Sequence, residues 1–91
     1  MSKRFAKVDS NQPQIVKELR EKGYTVKHLH ELKNFVDITV GHKGVNYLFE
    51  IKPDKSKKLT PGEQKFFDEW TGQRDVIYCA QDAIDIIEGN K

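Results

Sequence analysis

The alternation of apolar periods along the chain predicts an α/β domain with a mixed β-sheet flanked by helices, in the order α-β-β-β-α-β-α. Three observations carry that expectation. A helical apolar stripe stops at Gly23. Two segments with a period of two, FVDITV and NYLFEIK, surround a Gly-containing turn. Thr60-Pro61-Gly62-Glu63 has the form of a capping box with proline at the first helical position, which opens a second helix.

Taken in order, Asp9 or Ser10 can cap a first helix that runs to about Lys22, with Gly23 supplying the left-handed stop. Ile15, Val16 and Leu19 form its apolar stripe. Gln12 falls on the same stripe by helical spacing, so it either points at whatever the helix covers or sits at a frayed, wet end. YTVKHLH (24–30) reads as the first strand. His28 and His30 are two apart on it, but no third ligand follows at a zinc-like spacing, and solvent-facing strand positions are the simpler reading. The capped helix continues to about Thr71, with Phe66, Phe67 and Trp70 as its buried stripe and Gly72 ending it. DVIYCA is the last strand, where Cys79 reads as a small core residue. QDAIDIIEG is a short final helix with Ala83, Ile84 and Ile87 inward.

Ninety-one residues make one domain, 1–91, and a chain of this size buries only about two-thirds of its unfolded surface, so a partner or a second copy matters to its stability. Hydrophobic residues are 36% and charged residues 33%, yet nine aromatics and regular apolar spacing argue for a folded, highly soluble chain. The single cysteine rules out an intrachain disulfide framework or cysteine zinc cluster. No apolar signal core or membrane-length run occurs, which predicts an intracellular, cytoplasmic protein. The net charge of +2 is unevenly laid out. Lys3, Arg4 and Lys7 are basic, and KPDKSKK (52–58) sets four lysines against one aspartate, whereas residues 68–88 hold six acids and only Arg74. A basic region of this kind suits an anionic partner such as nucleic acid, although a short lysine run also reads as a solvated loop.

The hairpin raises a sharper question, because each strand carries an acid in its interior. A two-residue loop Lys43-Gly44 places Asp37 across from Glu50 and Phe35 across from Lys52; a four-residue loop, 41–44, keeps the same faces. Either way Phe35, Asp37, Thr39, Leu48, Glu50 and Lys52 share one face. Val36, Ile38, Val40, Tyr47, Phe49 and Ile51 share the other, which is uniformly apolar. Two carboxylates facing across a sheet cost roughly 0.2 to 1 kcal/mol, partly offset by Lys52. A bound cation converts that repulsion into binding. Oxygen ligands without His or Cys suit Mg²⁺, which keeps several waters and uses one or two carboxylates. Lys52 then stands within reach of a bound water or a substrate phosphate, a trio suited to phosphodiester hydrolysis. The plainer alternative is a solvated, charge-balanced strand face.

At these residues the chain resembles the PD-(D/E)xK nuclease superfamily, and more closely its small stand-alone VRR-NUC branch, which includes phage-borne enzymes acting on branched DNA. Asp37 followed by Glu50-Ile51-Lys52 matches the superfamily motif in order and strand placement, and DSNQPQIVKELREKGYTV and KLTPGEQKFFDEW resemble the branch on either side. The resemblance covers nearly the whole chain and implies a restriction-endonuclease-like fold. It implies a Mg²⁺- or Mn²⁺-dependent endodeoxyribonuclease, in which Asp37 and Glu50 are metal ligands, the Ile51 carbonyl a third, and Lys52 the catalytic lysine. Gln64 matches a glutamine often present near such sites. Gln12 stands where a first-helix glutamate is common, Val36 stands for the proline of the motif's name, and GQRDVIY holds no Val-Arg-Arg triplet. The expected substrate is branched or Holliday-junction DNA, gripped by Lys55, Lys57 and Lys58 with Lys3, Arg4 and Lys7, and a homodimer supplies the two sites that a four-way junction needs. The rival class is a non-catalytic nucleic-acid or protein-interaction module that keeps the fold.

Overall fold

Lys43 and Gly44 both adopt positive φ, 51° and 80°, the backbone of a type I′ turn whose twist matches that of the strands it joins. This turn fixes the register of the central hairpin. In the computed structural model, which describes residues 10–89, it connects β2 (Ile38–His42) to β3 (Val45–Ile51) with Ile38 opposite Phe49 and Val40 opposite Tyr47. That is the register of the two-residue loop. The other elements are α1 (Gln12–Glu21), β1 (Thr25–His28), α2 (Pro61–Glu69), β4 (Asp75–Ile77) and α3 (Ala80–Ile87). The chain is therefore an α/β fold in the order α-β-β-β-α-β-α. The sheet runs β1-β2-β3-β4, antiparallel across the first three strands and parallel between β3 and β4, so α2 lies in the crossover.

One sheet face supplies the core. Val26, Ile38, Val40, Phe49 and Ile51 are buried there, with Ile15, Val16 and Leu19 from α1 and Ala80, Ala83 and Ile87 from α3. Gln12 is also fully buried, so the apolar stripe of α1 does carry its polar first residue inward. Gly23, at φ 103°, ends the helix as expected, and its N–H donates to the Arg20 carbonyl.

Several expected details are corrected. Asp9 lies outside the described residues, and the N-cap of α1 is Asn11 rather than Ser10, with no side-chain cap. The Asn11 amide donates instead to the carbonyls of Lys52 (3.1 Å) and Tyr78 (3.2 Å), which pins the start of α1 to the ends of β3 and β4. β1 is shorter than 24–30: the Leu29 N–H still donates to the Asp37 carbonyl in register with the strand, but the Leu29 carbonyl accepts the Leu32 N–H at 2.9 Å, which turns the chain away. β4 ends at Ile77, since the Tyr78 N–H is taken by the Asp82 carboxylate from the first turn of α3. Cys79 consequently becomes the N-cap of α3 and is exposed, not a core residue.

Helix α2 opens on the predicted capping box, Thr60 with Glu63, but buries no residue. Phe66 and Phe67 are half-buried and Trp70 is 40% exposed, because α2 does not close onto the sheet there and a concavity lined by Phe35, Thr39 and Leu48 lies beside Trp70. The helix stops at Glu69, not Thr71; Arg74 then donates to the Phe67 carbonyl near that end (3.0 Å from Nε) and lies over the Phe67 ring. Among the described residues no helix is long and apolar enough to cross a membrane.

Candidate active site

The ladder between β2 and β3 ends at Ile38 and Phe49, one residue short of the expected Asp37 to Glu50 pair. Phe35 and Lys52 accordingly form no ladder pair either. The Asp37 N–H reaches back to the Phe49 carbonyl (3.1 Å), while Asp37 Oδ2 accepts the Ile51 N–H at 2.7 Å. A carboxylate thus replaces the backbone acceptor that a longer β2 would have offered. This bond holds Asp37 at the end of β3, against the segment Glu50-Ile51-Lys52.

Glu50 departs from the solvated-face reading. Strand alternation does turn it away from the core, yet it is only 4% exposed. Its carboxyl is pushed well above the ordinary carboxylate range, first by burial, then by the negative charges of Asp37 and Glu63, with which it also shares hydrogen bonds. The two acids singled out from the sequence therefore meet, although not as ladder partners. Lys52 Nζ lies 2.7 Å from Glu63 Oε1 and 3.9 Å from Glu50 Oε2.

Glu63 was missed as a site residue because its capping role accounted for it fully. In the structure one carboxylate does both tasks: Oε1 accepts the Thr60 N–H at 2.9 Å and the Lys52 ammonium at 2.7 Å. Burial raises the Glu63 carboxyl, but the hydrogen bonds from Lys52 and Thr60 outweigh it and hold the group below its ordinary value. Gln64, the glutamine expected here, points elsewhere. It is exposed, and its amide donates to Asp68 at 2.8 Å.

Asp37, Glu50 and Glu63 line an open concavity of about 250 Å³ whose walls also include His30, Thr60 and Gly62. His30 Nδ1 is buried without a hydrogen-bond partner among the described residues, so this histidine belongs to the site wall and not to the solvent-facing surface expected for it. His28 Nδ1 meets the Gln12 amide nitrogen at 2.9 Å, and the two imidazoles pack edge to face. Gln12 Oε1 is buried without a hydrogen-bond partner among the described residues, on the α1 side of the sheet.

The donor set fits a hard divalent cation. Asp37 and Glu63 gather at Glu50 with Lys52 as the neighbouring cation, so carboxylates outnumber the lysine and the candidate ligand atoms are oxygens. Asp37 and Glu50 could hold the ion together with the Ile51 carbonyl, and the orphaned Gln12 oxygen is of the right chemical type. No group of three or more His, Cys, Asp and Glu side chains among the described residues is arranged as a ready-made metal cage. A site that relies on one or two carboxylates and retained waters needs none.

Lys55, Lys57 and Lys58 are exposed on the loop between β3 and α2, where Asp54 accepts hydrogen bonds from the Ser56 N–H and hydroxyl. Lys3, Arg4 and Lys7 lie outside the described residues. Comparison with known protein families, curated proteins and solved structures finds no match for this chain.

Proposed function

We propose that the chain is a Mg²⁺- or Mn²⁺-dependent DNA endonuclease that hydrolyses phosphodiester bonds, with branched or Holliday-junction DNA as its substrate. One observation carries the reading: Glu50 is buried beside Asp37 and Glu63, with Lys52 as the neighbouring cation. Burial of clustered acids works against stability, and perturbed carboxylates in a concavity are the signature of a site kept for chemistry or binding. The likeness of Asp37 and Glu50-Ile51-Lys52 to the PD-(D/E)xK pattern supports the choice of reaction.

When bound, the divalent ion supplies electrophilic activation of the phosphodiester and lowers the pKa of the attacking water. Asp37 and Glu50 would hold it, together with the Ile51 carbonyl. Lys52 orients the water for in-line attack and offsets the charge that develops on the phosphate oxygens. Glu63 acts through Lys52, fixing its ammonium beside Glu50. Lys55, Lys57 and Lys58 hold neighbouring phosphates in a sequence-independent way. A two-fold dimer presents a pair of such sites to a junction.

The test joins binding to catalysis. Calorimetry with Mg²⁺ and Mn²⁺ should show a specific site in the wild type that Asp37→Ala removes. Asp37→Asn, Glu50→Gln and Lys52→Ala should each abolish cleavage of a branched DNA while circular dichroism shows the fold retained. Cleavage that survives in all three variants removes the nuclease assignment. Absence of both metal binding and cleavage in the wild type leaves a non-catalytic module.

A further inference from the structure

A second concavity, of about 420 Å³, lies on the same sheet face and shares Phe35 as a wall with the carboxylate site. Leu48 and Trp70 complete its apolar surface, and Thr39 and Asn46 provide polar groups at its rim. Leu48 is two residues from Glu50 along β3, about 7 Å. Phosphates of a stacked DNA strand recur about every 3.4 Å along the helix axis, so the two concavities are one or two nucleotides apart.

Trp70 is held in place with part of its surface open. Its ring stacks on Phe66 at 5.1 Å and meets Phe35 edge-on at 5.7 Å, yet the residue remains 40% exposed. The backbone of Gly72 runs directly against the indole, and a Cβ there would lie 2.8 Å from Nε1, so glycine is what lets the ring sit as it does. The floor is closed to strand addition. Gln73 Oε1 accepts the Leu48 N–H at 2.6 Å and its amide donates to the Leu48 carbonyl at 2.9 Å, occupying the backbone groups that an incoming strand would use. What remains is a fixed aromatic platform with a polar rim, beside a candidate phosphate site.

We infer that this concavity binds an unpaired nucleobase of the strand being cut, stacked on Trp70 and Phe35 with Thr39 and Asn46 at its polar edge. The inference rests on the endonuclease reading and adds a substrate class to it: DNA with a single-stranded or splayed nucleotide next to the scissile phosphate. Stacking on aromatic side chains is tolerant of sequence, because every base has a π-face. A base paired within a continuous duplex cannot reach the platform. A branch with a single-stranded arm supplies unpaired bases without further unstacking, whereas a fully paired four-way junction must first splay one.

The chain contains one tryptophan, so indole emission reports on this platform alone. Full-length Glu50→Gln protein in Mg²⁺, unable to cut, is titrated with a branched DNA bearing a single-stranded arm and with a matched blunt duplex, while anisotropy records binding. Trp70 emission should be quenched by the branched DNA and not by the duplex. Trp70→Leu in the same background should weaken branched-DNA binding about tenfold and leave duplex binding unchanged. Branched DNA bound without quenching, or an equal loss for both DNAs, overturns the base site. So does emission that changes with protein concentration in the absence of DNA, because a second copy then covers the platform. Wild-type cleavage is followed in parallel: cleavage without quenching refutes this inference and leaves the endonuclease standing, whereas neither binding nor cleavage removes both. Should Trp70→Leu fail to fold, the quenching experiment decides by itself.

Discussion

Replacing Glu50 by Gln should stabilise the metal-free protein at neutral pH while removing its activity. The wild-type carboxyl is 4% exposed and sits beside Asp37 and Glu63, so its charged form is disfavoured by burial and by like charge. A neutral amide of the same shape keeps a donor for those carboxylates and carries no charge. The penalty it removes has an upper bound, because the folded chain can protonate Glu50 instead of burying a full charge. From the ordinary value of 4.5, protonation at about pH 7 costs roughly 3 kcal/mol at 1.36 kcal/mol per pH unit. Lys52, 3.9 Å from Glu50, offsets part of that cost, and a gain of about 1–3 kcal/mol is expected.

The pH dependence distinguishes this cause from a simple packing change. The folded-state pKa of Glu50 lies above its unfolded value, so the contribution of this group is fully present below about pH 4.5 and is lost as pH rises toward the folded-state value. The advantage of the Gln variant should therefore be small at about pH 4.5 and grow through neutrality. Urea unfolding of both proteins in chelator, at several pH values, measures it. A variant less stable than wild type at neutral pH, or a difference independent of pH, would refute the reasoning and assign the Glu50 carboxylate a structural ion pair. Added Mg²⁺ should raise the stability of the wild type alone, releasing a proton that appears as a buffer-dependent binding enthalpy.

Glu63→Gln should lower stability by about 1 kcal/mol through the weakened capping box and slow cleavage by freeing the Lys52 ammonium. Because the Glu63 carboxyl is held below its ordinary value, the stability difference should be present above about pH 4.5 and disappear as pH falls, as urea unfolding would show. Replacing Lys55, Lys57 and Lys58 with Gln should weaken DNA binding across sequences and reduce the slope of log affinity against log salt by about 0.9 per lost phosphate contact; an unchanged slope reduces the run to a solvated loop. Sedimentation at micromolar concentration should show a dimer, and a chain strictly monomeric on and off DNA removes the junction-resolving role while leaving simple nicking.

Much of this arrangement was legible in the sequence because it depends on local rules. Lys43-Gly44 sets the hairpin register, Thr60 and Glu63 set the start of α2, and strand alternation turns Glu50 away from Ile51 and Phe49. What escaped depends on contacts across the fold. Glu63 comes to Lys52 only because the loop between them folds back, and no periodicity marks that return. Gln64 and Glu63 part for a rotational reason: neighbouring helical residues point about 100° apart, so Glu63, which reaches back to the cap, also meets Lys52, while Gln64 faces solvent. The burial expected of Phe66, Phe67 and Trp70 followed from their spacing, which identifies a stripe but cannot tell how closely the helix closes onto the sheet beneath it.

Glu63 also ties the two halves of the proposed machinery together. Lys52 ends the segment that carries Glu50, and Glu63 begins α2, so their 2.7 Å ion pair closes the loop that bears Lys55, Lys57 and Lys58. The loop is fastened twice at its far end, by the Lys52 bond and by the Thr60 N–H on the same oxygen. Closing so short a segment limits how far its three ammoniums can move from the carboxylates, so under the proposed function any phosphates they hold would stay near the carboxylate cluster. Each of those ammoniums is exposed and would individually bind a phosphate weakly. One carboxylate, assigned by local chemistry to start a helix, thereby also limits the distance between the lysine loop and the carboxylate cluster.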